Sequence, residues 1–258
     1  MNNYKIKAIC DGVLSEEYFG ENKILSLRKA FGAHGVVGLP NFFKSEVIQV
    51  LLSETYRLFE IRSKKNFIMP RYNTMRKLSV IGGNSLLGGS FVFPAIYLDW
   101  GLKKFLSSVV GETIRNISHQ EEMVVVNILE SESSTHGWHL DDPKFALVVI
   151  LEAPCASNGG NVEIISRWRE HCASYSLDPI EDLERGVGYA RKAGKVITMQ
   201  HLSGSAYLLN AADCLHRVTP ITTEADRRIV VNFAYHNQEK IEYGETANFL
   251  YKKDMNVI

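Results

Sequence analysis

The chain has 258 residues, 45% of them hydrophobic and 22% charged, with 29 basic side chains against 29 acidic ones. That is the make-up of one ordinary globular domain, and it excludes the collagen-like, disordered and disulfide-scaffold classes. A formal charge of zero gives no long-range field to gather polyanions, so the expected partner is a small molecule and not a nucleic acid.

The segment from Met1 to Asp11 alternates lysine with isolated apolar residues and lacks the apolar core of a signal peptide. Ile24, Leu25, Leu27, Ala30 and Phe31 then form a helical stripe ahead of Gly32 and Gly35. Val36 to Leu39 reads as a short strand closed by Pro40, and Ser45 as the N-cap of a second helix carrying Val47, Ile48, Leu51, Leu52, Leu58 and Phe59. From Pro70 to Pro94 the pairs Gly82-Gly83 and Gly88-Gly89 predict loops, with Arg71 and Arg76 near the mouth of an active site. No dinucleotide or phosphate-loop fingerprint occurs. A third helix is expected over 97–110, stopped by Gly111.

From Glu122 the period changes to that of strands, expected at 123–129, 145–152, 161–165, 195–199, 206–209 and 228–235, with one helix over 179–191. Short strands with glycine or proline breaks predict a sandwich or barrel. Cys10, Cys155, Cys172 and Cys214 form no C-x-x-C pair and read as reduced thiols of a cytoplasmic protein. No stretch approaches the roughly 18 apolar residues of a membrane span.

The chemistry is concentrated in His139-Leu140-Asp141, followed far downstream by His216 and then by Arg227-Arg228. On an extended strand His139 and Asp141 point to the same face, so with His216 they can present two imidazoles and one carboxylate to a single ion. That donor set suits iron(II) with three positions open; zinc, and with it a metal-dependent hydrolase, is the rival. In the run Arg-Ile-Val-Val-Asn-Phe-Ala-Tyr, Arg228, Val230, Asn232 and Ala234 share one strand face. A guanidinium on the inner wall of a barrel can hold a carboxylate, such as the end of 2-oxoglutarate distant from iron, and a zinc hydrolase has no need of it.

With these residues in order, the sequence resembles the iron(II)- and 2-oxoglutarate-dependent oxygenases. The stretches 136–142 (His-Gly-Trp-His-Leu-Asp-Asp), Ala153-Pro154, Gly159-Gly160, Leu215-His216-Arg217-Val218 and Arg227-Arg228 resemble the branch of free amino acid hydroxylases related to the lysine halogenases. The resemblance implies an α+β chain whose mainly β core is a double-stranded β-helix, the jelly roll or cupin-like fold, flanked by amino-terminal helices. One oxygenase domain would span 1–258. Residues 1–118 would give helical support and the active-site loop, 119–240 the core, and 241–258 a tail or lid.

It further implies iron(II) on His139, Asp141 and His216, 2-oxoglutarate on Arg228 with Arg227 as second choice, and O2 as oxidant. Halogenating members have glycine or alanine where Asp141 stands, so hydroxylation and not halogenation is expected. Arg76, Glu122, His136, Asp142 and Asn232 match positions that hold the amino acid, with Arg71 as a substitute for Arg76. Two acids in that set would favour lysine, ornithine or arginine. Glu122 and Asp142 read equally well as solvated strand-end residues, His136 as a loop residue packed on Trp138, and Asn232 as a partner for barrel backbone. The alternatives within the class are a tethered or modified amino acid, and desaturation or cyclisation. Outside it stand the hydrolase and a non-catalytic binding module. For assembly, a homodimer is an option.

Overall fold

Side-chain alternation along the strands sets the layers of this chain. The computed structural model describes residues 2–251. In chain order the elements are α1 (Asn2–Cys10), α2 (Glu21–His34), β1 (Val36–Leu39), α3 (Ser45–Arg57), β2 (Ser63–Met69) and β3 (Thr74–Ile81). Next come α4 (Gly83–Gly89), α5 (Val92–Tyr97), α6 (Trp100–Val110), β4 (Arg115–Asn116), α7 (Gln120–Met123), β5 (Val124–Leu129), β6 (Thr135–His139) and β7 (Phe145–Glu152). The remainder is β8 (Val162–Ile165), α8 (Trp168–Ser174), α9 (Leu183–Lys192), β9 (Ile197–Met199), β10 (Ala206–Asn210), β11 (Leu215–Val218), β12 (Arg228–His236) and α10 (Thr246–Tyr251).

The strands form one antiparallel sheet in the order β1-β10-β7-β12-β5-β3-β6-β11-β8-β9, with β2 added on β3 and β4 on β12. The sheet curls on itself, because one cavity is lined by β5, β7 and β12 from one half and by β6 and β11 from the other. This is the jelly-roll architecture.

On β12, Ile229, Val231, Phe233 and Tyr235 face outward into a large core shared with Phe145, Leu147 and Val149 of β7 and with α2, α3, α5 and α6. The alternate residues Arg228, Val230, Asn232 and Ala234 face inward and line the cavity, as strand period two requires. Helices α8 and α9 bury Trp168, Leu183 and Val187 against Ile165 and Leu215 behind the second half of the sheet. Among the described residues no helix is long and apolar enough to cross a membrane. The four cysteines are unpaired.

The segment expected as a glycine-rich loop is instead strand β3, helix α4 and helix α5, and β3 forms a hairpin with β2. Gly82-Gly83 serves close packing there: a Cβ on Gly83 would lie 1.8 Å from the carbonyl oxygen of Gln120, so glycine lets α4 approach α7. The third helix begins at Trp100, not at 97, because Asp99 caps it by accepting the Leu102 N–H at 2.6 Å. Ser45 lies just inside its helix and makes no cap.

Gly137 decides how β6 sits on β3, where Arg76 pairs with His136. A Cβ at Gly137 would meet Thr74 Cβ at 2.8 Å and the Met75 carbonyl oxygen at 2.9 Å, and the second contact is backbone that cannot rotate away. Gly137→Ala is therefore expected to destabilise the fold by about 1–3 kcal/mol through overpacking. Urea unfolding checks this, and an unchanged midpoint would contradict it.

Candidate metal centre and its cavity

His139 closes β6 and His216 lies in β11, directly opposite in the register, so the sheet sets the two imidazoles side by side with ring centroids 4.2 Å apart. Asp141 stands two residues past the end of β6, fixed by its N–H donating to the Ala211 carbonyl at 3.0 Å. Its Oδ1 lies 3.5 Å from His139 Nε2 and 3.8 Å from His216 Nε2. The ligand atoms of all three residues fall within 4.8 Å of one another.

The backbone fixes which nitrogen faces the carboxylate. His139 Nδ1 is 2.7 Å from the Gly137 carbonyl and His216 Nδ1 is 3.0 Å from the Cys214 carbonyl. Carbonyls only accept, so the protons sit on Nδ1 and both Nε2 lone pairs point inward. Burial, reinforced by His136 and His216, holds His139 well below the usual imidazole range, and burial raises Asp141. Two Nε2 atoms and a carboxylate oxygen thus converge on one point. The chemistry that satisfies all three is a cation, and two nitrogens with one oxygen on one face fit iron(II).

Arg228, the first residue of β12, lines the same cavity at 2% exposure. Its Nε donates to His201 Nδ1 at 2.9 Å, and it is hydrogen-bonded to Tyr207. No carboxylate of the described residues pairs with it, which leaves a buried cation without a counter-charge. Arg227 faces away: its Nη1 donates to the Tyr56 hydroxyl at 3.2 Å and it lies over the Phe59 ring, in a surface depression with Glu130 and Glu152.

At the other side of the cavity, Glu122 follows from α7 with its carboxyl buried and Oε2 without a partner. Burial, then Asp142 and Asp141, raise it to about 8. Asp142 lines the cavity, accepts the Gly244 N–H at 2.8 Å and lies 3.6 Å from Arg71 Nη1. His136 stacks on His139 at 4.1 Å, and both its Nε2 and Asn232 Oδ1 are buried without partners. Arg76 is 1% exposed and pairs with His136 across β3 and β6, so its side chain leaves on the same face beside His136; among the described residues it is bonded to Thr74 Oγ1 and the Met75 carbonyl, and its Nε is unpaired. Burial lowers it to about 10. Thr246, Leu250 and Tyr251 line the cavity from the tail. Residues 252–258 of the expected tail or lid lie outside the described residues.

Sequence reasoning missed Asn127, Tyr207 and His201. Asn127 carried a signal, a lone amide in the apolar run of β5 that now lines the cavity with Oδ1 unpaired. Tyr207 and His201 carried none, because nothing local relates them to Arg228.

The profile of the family described as Halogenase D matches residues 19–252. No curated protein matches the chain. Among solved structures, the epimerase SnoN in complex with Fe3+, alpha ketoglutarate and nogalamycin RO is similar at 13% identity and TM-score 0.65, covering 93% of each chain. HygX from Streptomyces hygroscopicus, with nickel and 2-oxoglutarate bound, is similar at 18% identity and TM-score 0.60, covering 87% of this chain and 92% of that one. A prolyl-4-hydroxylase of Pseudomonas putida is similar at 11% identity and TM-score 0.55, covering 83% and 99%. These likenesses are likenesses of fold. The match over nearly the whole length, on a jelly roll that gathers His139, Asp141 and His216, means that the chain belongs to the halogenase D family, within the iron(II)- and 2-oxoglutarate-dependent oxygenase superfamily.

Proposed function

We propose that this protein is an iron(II)- and 2-oxoglutarate-dependent dioxygenase that hydroxylates an unactivated C–H bond of a free basic amino acid such as lysine, ornithine or arginine. The observation that carries the reading is one cavity lined by three complementary features: a metal-ligand triad, a buried arginine with no carboxylate partner among the described residues, and a buried acid whose Oε2 has no partner.

In this reading His139, Asp141 and His216 hold iron(II), and Arg228 holds the distal carboxylate of 2-oxoglutarate. With both bound, the centre supplies oxidative decarboxylation of the cosubstrate by O2, to succinate and carbon dioxide, coupled to oxidation of the nearest C–H bond. The protein decides which bond that is. Arg76 supplies the positive charge toward the substrate carboxylate, Glu122 and Asp142 the negative charge toward its ammonium groups, and His136 and Asn232 neutral hydrogen bonds between them. Arg227, engaged with Tyr56 on the outer face, has no part in it.

Asp141 favours hydroxylation over halogenation, since its carboxylate stands where a halide would need to enter. The tail acts as a roof: Tyr243 packs on His119 with ring centroids 4.9 Å apart and planes tilted by 47°, Gly244 is tied to Asp142, and Thr246 to Tyr251 close over the cavity and exclude water. The unpaired thiols suit a reducing cytoplasm.

Glu122 gives the reading a pH signature. A carboxyl raised to about 8 is protonated in the free protein at neutral pH, yet must be ionised to face an ammonium group. Binding of lysine or ornithine is therefore expected to release a proton and to tighten as pH rises toward about 8. The stability term has the opposite sign. Because the native state holds this proton more tightly than the unfolded chain, the term falls as pH rises from 4.5 to about 8. Glu122→Gln should flatten both profiles. Titration calorimetry and urea unfolding across that range check this; pH-independent binding by the native protein would contradict it.

The test of the substrate class is succinate release across a panel of free amino acids and their amides. Stimulation by one basic amino acid, lost when its carboxylate is amidated, supports a free amino acid. Full turnover of the amide points to a tethered or modified substrate.

A further inference from the structure

His201 lies in the turn between β9 and β10, and that turn is pinned to β7. Gly204 N–H donates to the Ile150 carbonyl at 2.8 Å, and Ile150 N–H returns a bond to the Ser205 carbonyl at 2.9 Å. The His201 ring is 4% exposed and stacks on Tyr207 with centroids 5.5 Å apart and planes 19° from parallel. Its Nδ1 accepts the Nε–H of Arg228 at 2.9 Å.

A guanidinium N–H can only donate, so Nδ1 is unprotonated and the ring proton sits on Nε2. Nε2 is buried and has no partner. Burial, and then the charge of Arg228, hold the ring well below the usual imidazole range, which keeps it neutral. An orphaned buried N–H costs stability, and a phenyl ring would fill the same slot without that cost. Packing alone therefore gives no reason for a histidine here.

The reason lies in Arg228. An acceptor on Nε fixes the plane of the guanidinium and leaves its Nη donors to be shared between Tyr207 and a guest. A carboxylate in the same place would quench the charge that a guest needs, whereas a neutral imidazole orients it and leaves it unspent. We propose that His201 is the positioning residue of the cosubstrate subsite, aiming Arg228 at the distal carboxylate of a dicarboxylic 2-oxo acid. This rests on the reading of Arg228 given above, and it adds a residue that makes the subsite selective for that carboxylate.

The test is titration calorimetry of 2-oxoglutarate, and of oxalate as a metal chelator without a distal carboxylate, into the full-length Mn(II)-loaded protein. His201→Phe is expected to weaken 2-oxoglutarate by at least about tenfold, the size of one charge-assisted hydrogen bond, and to leave oxalate within about twofold. Oxalate binding, and not Tm, is the control for folding, because the same change also leaves the buried Arg228 Nε–H without its acceptor. His201→Asn, whose side-chain oxygen can accept from Arg228 as Nδ1 does, should bind 2-oxoglutarate within about threefold of the native protein. The proposal is overturned if His201→Phe binds 2-oxoglutarate normally, if it weakens both ligands equally, or if His201→Asn is as impaired as His201→Phe. A native protein that binds oxalate and not 2-oxoglutarate would instead overturn the reading of Arg228 itself, and one that binds neither would overturn the metal centre.

Discussion

Replacing Asp141 by glycine is expected to abolish hydroxylation, with a loss of at least about a thousandfold. Removing a residue that merely supports a metal ligand already costs about 10–100-fold, and Asp141 is the one anionic donor of the triad. The local backbone should survive, because the bond that fixes this turn runs from the Asp141 main-chain N–H to the Ala211 carbonyl and remains in glycine. What is lost is the carboxylate oxygen that faces both Nε2 atoms. The gap it leaves lies within reach of the Arg76 charge and is open to a small anion such as chloride. Metal content by mass spectrometry, together with product analysis in chloride buffer, reads both consequences. Unimpaired hydroxylation by Asp141→Gly would overturn the assignment of the triad.

Arg228→Ala is expected to raise the 2-oxoglutarate requirement by about 100- to 1,000-fold, the range for losing one partner of a buried, hydrogen-bonded charge pair. Its effect on kcat at saturating cosubstrate should be small, because in the proposed reading the guanidinium holds the end of the molecule distant from the reacting atoms. Iron content should not change. A hydrolase built on the same triad would have no use for this arginine, so a protein whose activity is indifferent to Arg228→Ala would support that rival.

How much of this was legible in the sequence depended on whether the signal was local. The strands of the core could be read because they are short, near-continuous apolar runs rich in β-branched residues. Phe145–Glu152 and Arg228–His236 run buried on both faces, and the expected ranges differ from them by no more than a residue. The triad could be read because two of its members share a tripeptide and the third stands in the run Leu-His-Arg-Val ahead of Arg227-Arg228. The region ahead of the core could not. Hairpin β2/β3 carries lysines and polar residues on a face that stays in solvent, and its glycine-rich sequel packs α4 on α7, a contact invisible without knowing where Gln120 lies. Strand β11 was missed because its four residues, Leu215–Val218, are too short to show a period. Arg76 shows the same limit: its residue type was noticed, but its burial beside His136 follows only from the pairing of β3 with β6.

His201 lies furthest from what a sequence can tell. Its meaning comes from a bond to a residue in another strand, made across a turn whose shape is fixed by a third. The polar atoms left without partners, in Glu122, Arg76, His136 and Asn232, are likewise unremarkable in sequence. In the structure they stand out as buried polar atoms without partners, which is what the proposed substrate role rests on.

The central claim is that the cavity couples 2-oxoglutarate to oxygen insertion into a basic amino acid. The most direct measurement is mass spectrometry of lysine, ornithine and arginine after turnover with 18O2 in chloride buffer, with succinate quantified in the same samples. The account predicts one amino acid gaining a single labelled oxygen in step with succinate, and no chlorinated product. Succinate without any change in these amino acids, a chlorinated product, or no succinate at all would contradict it.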